Sequence, residues 1–185
     1  HIHEDHFDPL FIKKISNKNT KVIMPRVYGH KVFKSKLEKL NLNKNIIILE
    51  LSESISIKDV KITAIPPINT IGVRSEDISE SEVSIDGGFL IENKNLRLVF
   101  LADNNPYNPE TIKNNRNLFE NLDLLSVSHN GFASDYPFNY YKDKKTCFSQ
   151  YYSLEEKRQN KQLKIISKYI NPKNLLSYSS SFCLA

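Results

Sequence analysis

Four candidate metal ligands, His1, His3, Asp5 and His6, fall within the first six residues, His1-Ile2-His3-Glu4-Asp5-His6, and no other feature constrains the chain as tightly. In an extended or looped segment successive side chains alternate, so His1 and His3 point the same way. Asp5 and His6 follow at the turn, and one short loop can address two adjacent cations. Imidazole and carboxylate donors together suit zinc, iron or manganese rather than calcium. A histidine-rich tag would not interleave Glu4 and Asp5 and then run into Phe7-Asp8-Pro9.

Downstream, strand and helix patterns alternate. Asp8-Pro9 opens a helix that continues from Leu10 to Ile15, with proline in the first turn. Lys21 to Met24 is a short β-rich run stopped by Pro25, and His30 to Leu40 sets Val32, Phe33, Leu37 and Leu40 at helical spacing. Asn45 to Leu51 reads as a buried strand, and Asp59 to Ile65 as an alternating strand ended by Pro66-Pro67. Phe89 to Ile91 and Leu96 to Leu101 flank Asn93-Lys94-Asn95, a hairpin turn. A helix is predicted over Thr111 to Glu120, a strand over Asp123 to Ser128 and a long helix over Ser153 to Ile170. Its expected capping box is Ser153-Leu154-Glu155-Glu156, and Leu163, Ile166 and Ile170 are expected to be buried. Asn171-Pro172 ends that helix, and Asn174 to Tyr178 is the last strand. The pattern is α/β. Arg74 to Ser84 reads as a long mobile loop, and nothing marks an internal repeat or a domain boundary.

The 185 residues therefore fit one domain, 1–185. A chain of that length buries about two-thirds of its unfolded surface without disulfide support. No apolar run approaches the roughly 20 residues that cross a bilayer. Two cysteines, Cys147 and Cys183, stand in no metal-ligand spacing, which argues for a reducing compartment, the cytoplasm. The net charge of +5 comes from lysines scattered along the chain, and the densest stretch, Lys142 to Lys145, is interrupted by Asp143. Solvated lysines explain that charge, and no RNA-binding motif makes nucleic acid an expected partner. The chain opens on its most informative motif without a methionine and stops at Ser181-Phe182-Cys183-Leu184-Ala185, as a piece of a longer protein would.

Two further residues carry candidate chemistry. Asp103 ends the apolar run Leu98-Val99-Phe100-Leu101-Ala102, where an α/β fold places its site residues, and its two oxygens can bridge two metals. An aspartate before Asn104-Asn105-Pro106 also suits a turn start. His129 ends the next strand and is either a ligand, an acid/base in the cleft or a turn residue. His30, after Gly29, reads as an ordinary surface residue.

The pattern H-x-H-x-D-H in an α/β chain, followed by a strand-end aspartate, resembles the metallo-β-lactamase superfamily. A narrower likeness lies in Leu124-Leu125, in Gly131-Phe132-Ala133-Ser134-Asp135-Tyr136-Pro137, in the Glu-Lys-Arg-rich helix and in Asn171-Pro172-Lys173 to Phe182. These segments resemble the metallo-β-lactamase-like domain of CMP-N-acetylneuraminate hydroxylase and its bacterial relatives. The resemblance implies a four-layer αβ/βα sandwich, with strands ahead of the first motif, and one or two divalent ions at the strand edges, zinc foremost. It implies that His1 and His3 bind one ion, Asp5 and His6 the other, and that Asp103 bridges them. The implied reaction is hydrolysis by a water whose pKa the cation lowers from about 15.7 towards 7. Asp5 is alternatively the group that orients that nucleophile, with His129 in the cleft.

The sequence also departs from the superfamily pattern. No histidine lies between His30 and His129, leaving Asn69, Glu82 or Asp86 as oxygen donors in place of the usual extra histidine. Ser179 to Phe182 stands where hydrolytic members carry a closing histidine. Three functions follow as expectations: a metal-dependent hydrolase, an oxygenase component acting on a nucleotide-sugar, and a binding module with a degenerate metal site. Asp135-Tyr136-Pro137-Phe138-Asn139-Tyr140-Tyr141 either stacks on a sugar or base or packs as an aromatic loop, and nearby lysines suit a small anionic substrate such as a phosphorylated sugar.

Overall fold

Short β-branched runs pair to form the first sheet. Val22–Pro25 (β1) lies parallel to Ile46–Leu49 (β2), with Val22 opposite Ile46 and Met24 opposite Ile48. The computed structural model describes residues 8–27, 30–42, 45–68, 86–128 and 143–178. Pro9–Ile15 (α1) and His30–Glu38 (α2) supply Ile12, Phe33 and Leu37, which pack with Met24, Leu42, Val22, Ile46 and Ile48 in one small core. Helix α1 starts where the sequence predicts it. The Asp8 carboxylate accepts from the Leu10 and Phe11 N–H groups at 2.9 and 3.0 Å, and Pro9 occupies the first turn.

The second sheet has six strands in sequence order: Ser54–Ile57 (β3), Val60–Ile65 (β4), Gly88–Glu92 (β5), Arg97–Phe100 (β6), Leu124–Ser128 (β7) and Leu175–Tyr178 (β8). Pairing is antiparallel from β3 to β6 and parallel from β6 to β8. The β5–β6 turn is the predicted one: the Asn93 side chain accepts from Asn95 N–H at 2.8 Å and Leu96 N–H at 2.9 Å. One face presents Ile65, Leu90, Val99, Leu101, Leu125 and Val127 to three helices, Pro109–Asn114 (α3), Arg116–Phe119 (α4) and Lys144–Ile165 (α5). Ile112, Leu118, Phe119, Ile165, Ile166 and Ile170 close this main core. The first sheet meets the second where β1 touches β4. Helices, small sheet, large sheet and helices thus form four layers, the predicted α/β sandwich.

Local expectations fare unevenly. Strand β3 is additional to the predicted elements. The helix expected over Thr111 to Glu120 is two short helices broken at Asn115. Helix α5 begins at Lys144, capped by Asp143, which accepts from Thr146 N–H at 2.8 Å. Ser153 therefore lies inside the helix and is no cap. Leu163 is 49% exposed rather than buried, and so is half of Val32. Ile166 and Ile170 are buried as expected, and together with Gln162 and Ile165 at the end of α5 they form one buried stripe at i, i+3, i+4 spacing, with Tyr169 packed beside it. Residues Ile166–Ile170 form a π turn ended by Asn171 at φ 49°, whose N–H returns to Ile166 O at 2.8 Å.

Candidate metal centre at the strand ends

Strands β4 and β6 are both antiparallel to β5, so β4, β6, β7 and β8 run the same way and end at one edge of the sheet. Open α/β sheets bind ligands at that edge. Three segments meet there: Pro66 to Ile68 after β4, Leu101 to Asn105 after β6, and Ser128 at the end of β7.

Asp103 sits in a tight turn after β6. Asn104 N–H donates to Leu101 O at 2.8 Å, and Ala102 adopts φ 48° to make the turn. A left-handed conformation costs a non-glycine residue about 1–2 kcal/mol, and it persists only where the surroundings over-determine it. They do so here. Leu101 N–H donates to Ser126 O at 3.1 Å. Asn104 is wholly buried, accepting from Ile68 N–H at 2.6 Å and donating to Pro66 O at 3.1 Å. Asn105 is also buried, and its Oδ1 accepts from Gln162 Nε2 at 2.9 Å. The same Gln162 amide donates to Ser128 O at 3.3 Å. One helical turn earlier, Arg158 donates to the Tyr107 hydroxyl at 2.9 Å and its guanidinium lies 5.9 Å from that ring's centroid. The segment carrying Asp103 is therefore held on both flanks.

Two glycines shape the same edge. A Cβ on Gly88 would stand 2.8 Å from Phe100 O, and one on Gly87 would stand 2.6 Å from Pro25 Cγ. Only glycine lets the start of β5 approach β6 and the first sheet this closely.

Of the predicted site residues, Asp103 lies at this edge, partly buried, and Asp86 lies two residues ahead of β5, also partly buried. His1, His3, Asp5, His6 and His129 lie outside the described residues, as do Asn69, Glu82, Arg74 to Ser84, Asp135 to Tyr141 and Ser179 to Phe182. Among the described residues no three His, Cys, Asp or Glu side chains gather as a metal site. No helix among them is long and apolar enough to cross a membrane. His30 differs from its expectation. Its Nδ1 donates to Val27 O at 3.0 Å and its Nε2 accepts from Arg26 Nη1 at 3.2 Å, so both ring nitrogens are used in tying α2 to β1. Sequence reasoning passed over Asn104, Asn105 and Gln162. No local signal marked them, because their bonds join segments far apart in sequence.

The fold is of the metallo-β-lactamase type. The chain is similar to two structures of CmlA, a diiron β-hydroxylase from Streptomyces venezuelae. A point mutant of that enzyme aligns with TM-score 0.62 and 17% identity over 96% of this chain and 35% of its own. The other CmlA structure gives 0.58 and 15%, over 96% and 34%. The metallo-β-lactamase fold protein YhfI from Bacillus subtilis aligns with TM-score 0.41 and 13% identity over 98% of this chain and 74% of its own. The chain thus spans about a third of the length of the two CmlA structures. No family model and no curated protein matches the sequence.

Proposed function

We propose that residues 1–185 form one metal-binding domain of a hydrolase that activates water at the strand ends. The observation that carries this reading is the placement of Asp103: a carboxylate at the ligand-binding edge of the fold, delivered by a strained turn that buried amides keep in place. The donor chemistry fits the group. Two carboxylates and three imidazoles, His1, His3, Asp5, His6 and Asp103, make a nitrogen and oxygen set suited to zinc, with iron and manganese as alternatives. In this reading His1 and His3 would hold one ion and Asp5 and His6 a second, with Asp103 as the ligand that would be shared by both. A bound divalent cation supplies Lewis acidity and brings the pKa of water towards neutrality. Alternatively Asp5 would orient the attacking water, and His129 would exchange the proton with the leaving group. A small anionic molecule, such as a phosphorylated sugar, is the substrate class that the lysines and the Asp135 to Tyr141 aromatic run favour, and the cytoplasm is the compartment that two isolated cysteines favour.

A second reading, oxygen chemistry on a nucleotide-sugar or related substrate, draws support from the alignment with a diiron β-hydroxylase and from the Gly131 to Pro137 segment. Elemental analysis of the purified full-length protein separates the two. The expected result is about one to two equivalents of metal per chain, lost in His3→Ala and Asp103→Ala. Zinc as the native metal supports hydrolysis, whereas a pair of irons moves the assignment to oxygen chemistry. Absence of bound metal after reconstitution sinks both and leaves a binding module.

A further inference from the structure

We infer that Gln162 is a positioning residue for the metal centre, setting the Asp103 turn against the end of β7 through a single buried amide. This rests on the metal-binding reading above. Gln162 comes from α5, 57 residues beyond Asn105 and 34 beyond Ser128, and its Nε2 donates to both. The side chain is 3% exposed in a stripe otherwise filled by isoleucines, so a polar group is retained where an apolar one would fit the helix face. Burying an amide is unfavourable unless its bonds are made. Here the bonds join the two parallel strand ends rather than α5 to either one alone. Asn105 is the second residue after Asp103, and its N–H donates to Asp103 O at 2.8 Å. A shift of the Gln162 amide is therefore passed to the Asp103 backbone through one side chain and one hydrogen bond. Arg158, four residues earlier on the same helix face, grips Tyr107 and keeps α5 from sliding along the loop. The lever is the geometry of a carboxylate ligand, the property that outer hydrogen bonds control in metal sites.

The test uses the full chain and cobalt(II) as the probe, read by its visible absorption and by competition with a chelator. Gln162→Met keeps the volume and removes both bonds. Asn105→Leu removes one. Asn105→Asp keeps an acceptor for the Gln162 amide. Cobalt affinity is expected to fall by about 10- to 100-fold in Gln162→Met and Asn105→Leu, with an altered absorption spectrum, and to stay within a few-fold of wild type in Asn105→Asp. Apo-protein melting is followed in parallel. If Gln162→Met lowers the melting temperature yet folded protein binds cobalt with wild-type affinity and spectrum, the residue is a packing element and the inference is overturned. If the wild type itself binds no cobalt, it is the metal-binding reading that fails.

Discussion

The two edges of the six-stranded sheet solve the same problem with different chemistry. At the edge where the parallel strands begin, the connections are tied by charge. Asp123 accepts from Arg97 N–H at 2.9 Å and from Lys173 Nζ at 2.7 Å, while Asn174 donates to Asp123 O at 2.9 Å. Arg97 also donates to Glu92 at 2.8 Å, and Lys61 meets that carboxylate at 3.1 Å. These groups are partly solvated, so each bond is individually weak and the loss of one is shared by the rest. At the edge where the strands end, the ties are neutral amides, Asn104, Asn105 and Gln162, all buried. Each bond there has no water to replace it, and together they hold a turn that Ala102 adopts only under strain. The charged edge keeps strands in register. The amide edge keeps a backbone in a conformation it would otherwise leave.

If that contrast is right, the largest loss comes from the amide edge. Asn104→Leu strands the Ile68 N–H and the Pro66 carbonyl in the interior, at about 1–3 kcal/mol for each unsatisfied group, so a total of roughly 3 kcal/mol is expected. A urea denaturation midpoint measures it, and a loss below about 1 kcal/mol would mean that the loop relaxes to water and the edge is not rigid. Gly88→Ala comes next. The added Cβ would press on backbone atoms of Phe100 and Leu101, which yield less readily than a flexible side chain. Overpacking of this kind costs about 1–3 kcal/mol, and the same denaturation assay reads it.

The two edges were unequally legible in the sequence. Strands with apolar runs, such as Ile46–Leu49 and Leu124–Ser128, announce themselves because burial demands that composition. The Asp8 cap and the Asn93 turn are local bonds between near neighbours, so a short stretch of residues contains the whole cause. Asp103 was visible as a carboxylate closing an apolar strand. Strand β3 was not, since Ser-Ile-Ser-Ile offers only two apolar residues. Ser153 to Glu156 carries capping residues at the proper spacing, yet Asp143 starts the helix ten residues earlier, and a cap operates only where the helix begins. The Gln162 bridge could not be read at all. It joins three separated segments, and no local pattern distinguishes a buried glutamine from a solvated one.

Ala102→Gly probes the strain directly, and its effect is smaller. Glycine removes the left-handed penalty but adds backbone entropy to the unfolded chain, leaving an expected gain of about 0.5 kcal/mol. A melting temperature that rises slightly sharpens the contrast between the edges. One that falls by several degrees would show that the Ala102 methyl packs usefully and that the turn is not strained.

The smallest effect is expected at the charged edge, where Asp123→Asn should cost little at neutral pH and less still in acid. The bond from Lys173 holds the Asp123 carboxyl below its usual range, and the Arg97 N–H adds to this. Because the folded protein binds this proton less readily than the unfolded chain, the stabilisation is complete above the ordinary carboxylate value of about 3.9 and is lost as pH falls through the lowered one. Asparagine keeps an acceptor for Arg97 N–H and has no proton to take up. Denaturation midpoints measured from about pH 6 down to pH 2 should therefore fall less steeply in the variant than in wild type, with the two curves closest at the acid end. Cobalt binding at neutral pH should be unchanged, because the substitution lies at the far end of the strands from Asp103. Parallel acid curves would show that Asp123 exchanges Lys173 for water at no cost, and the charged edge would then owe its register to backbone pairing alone.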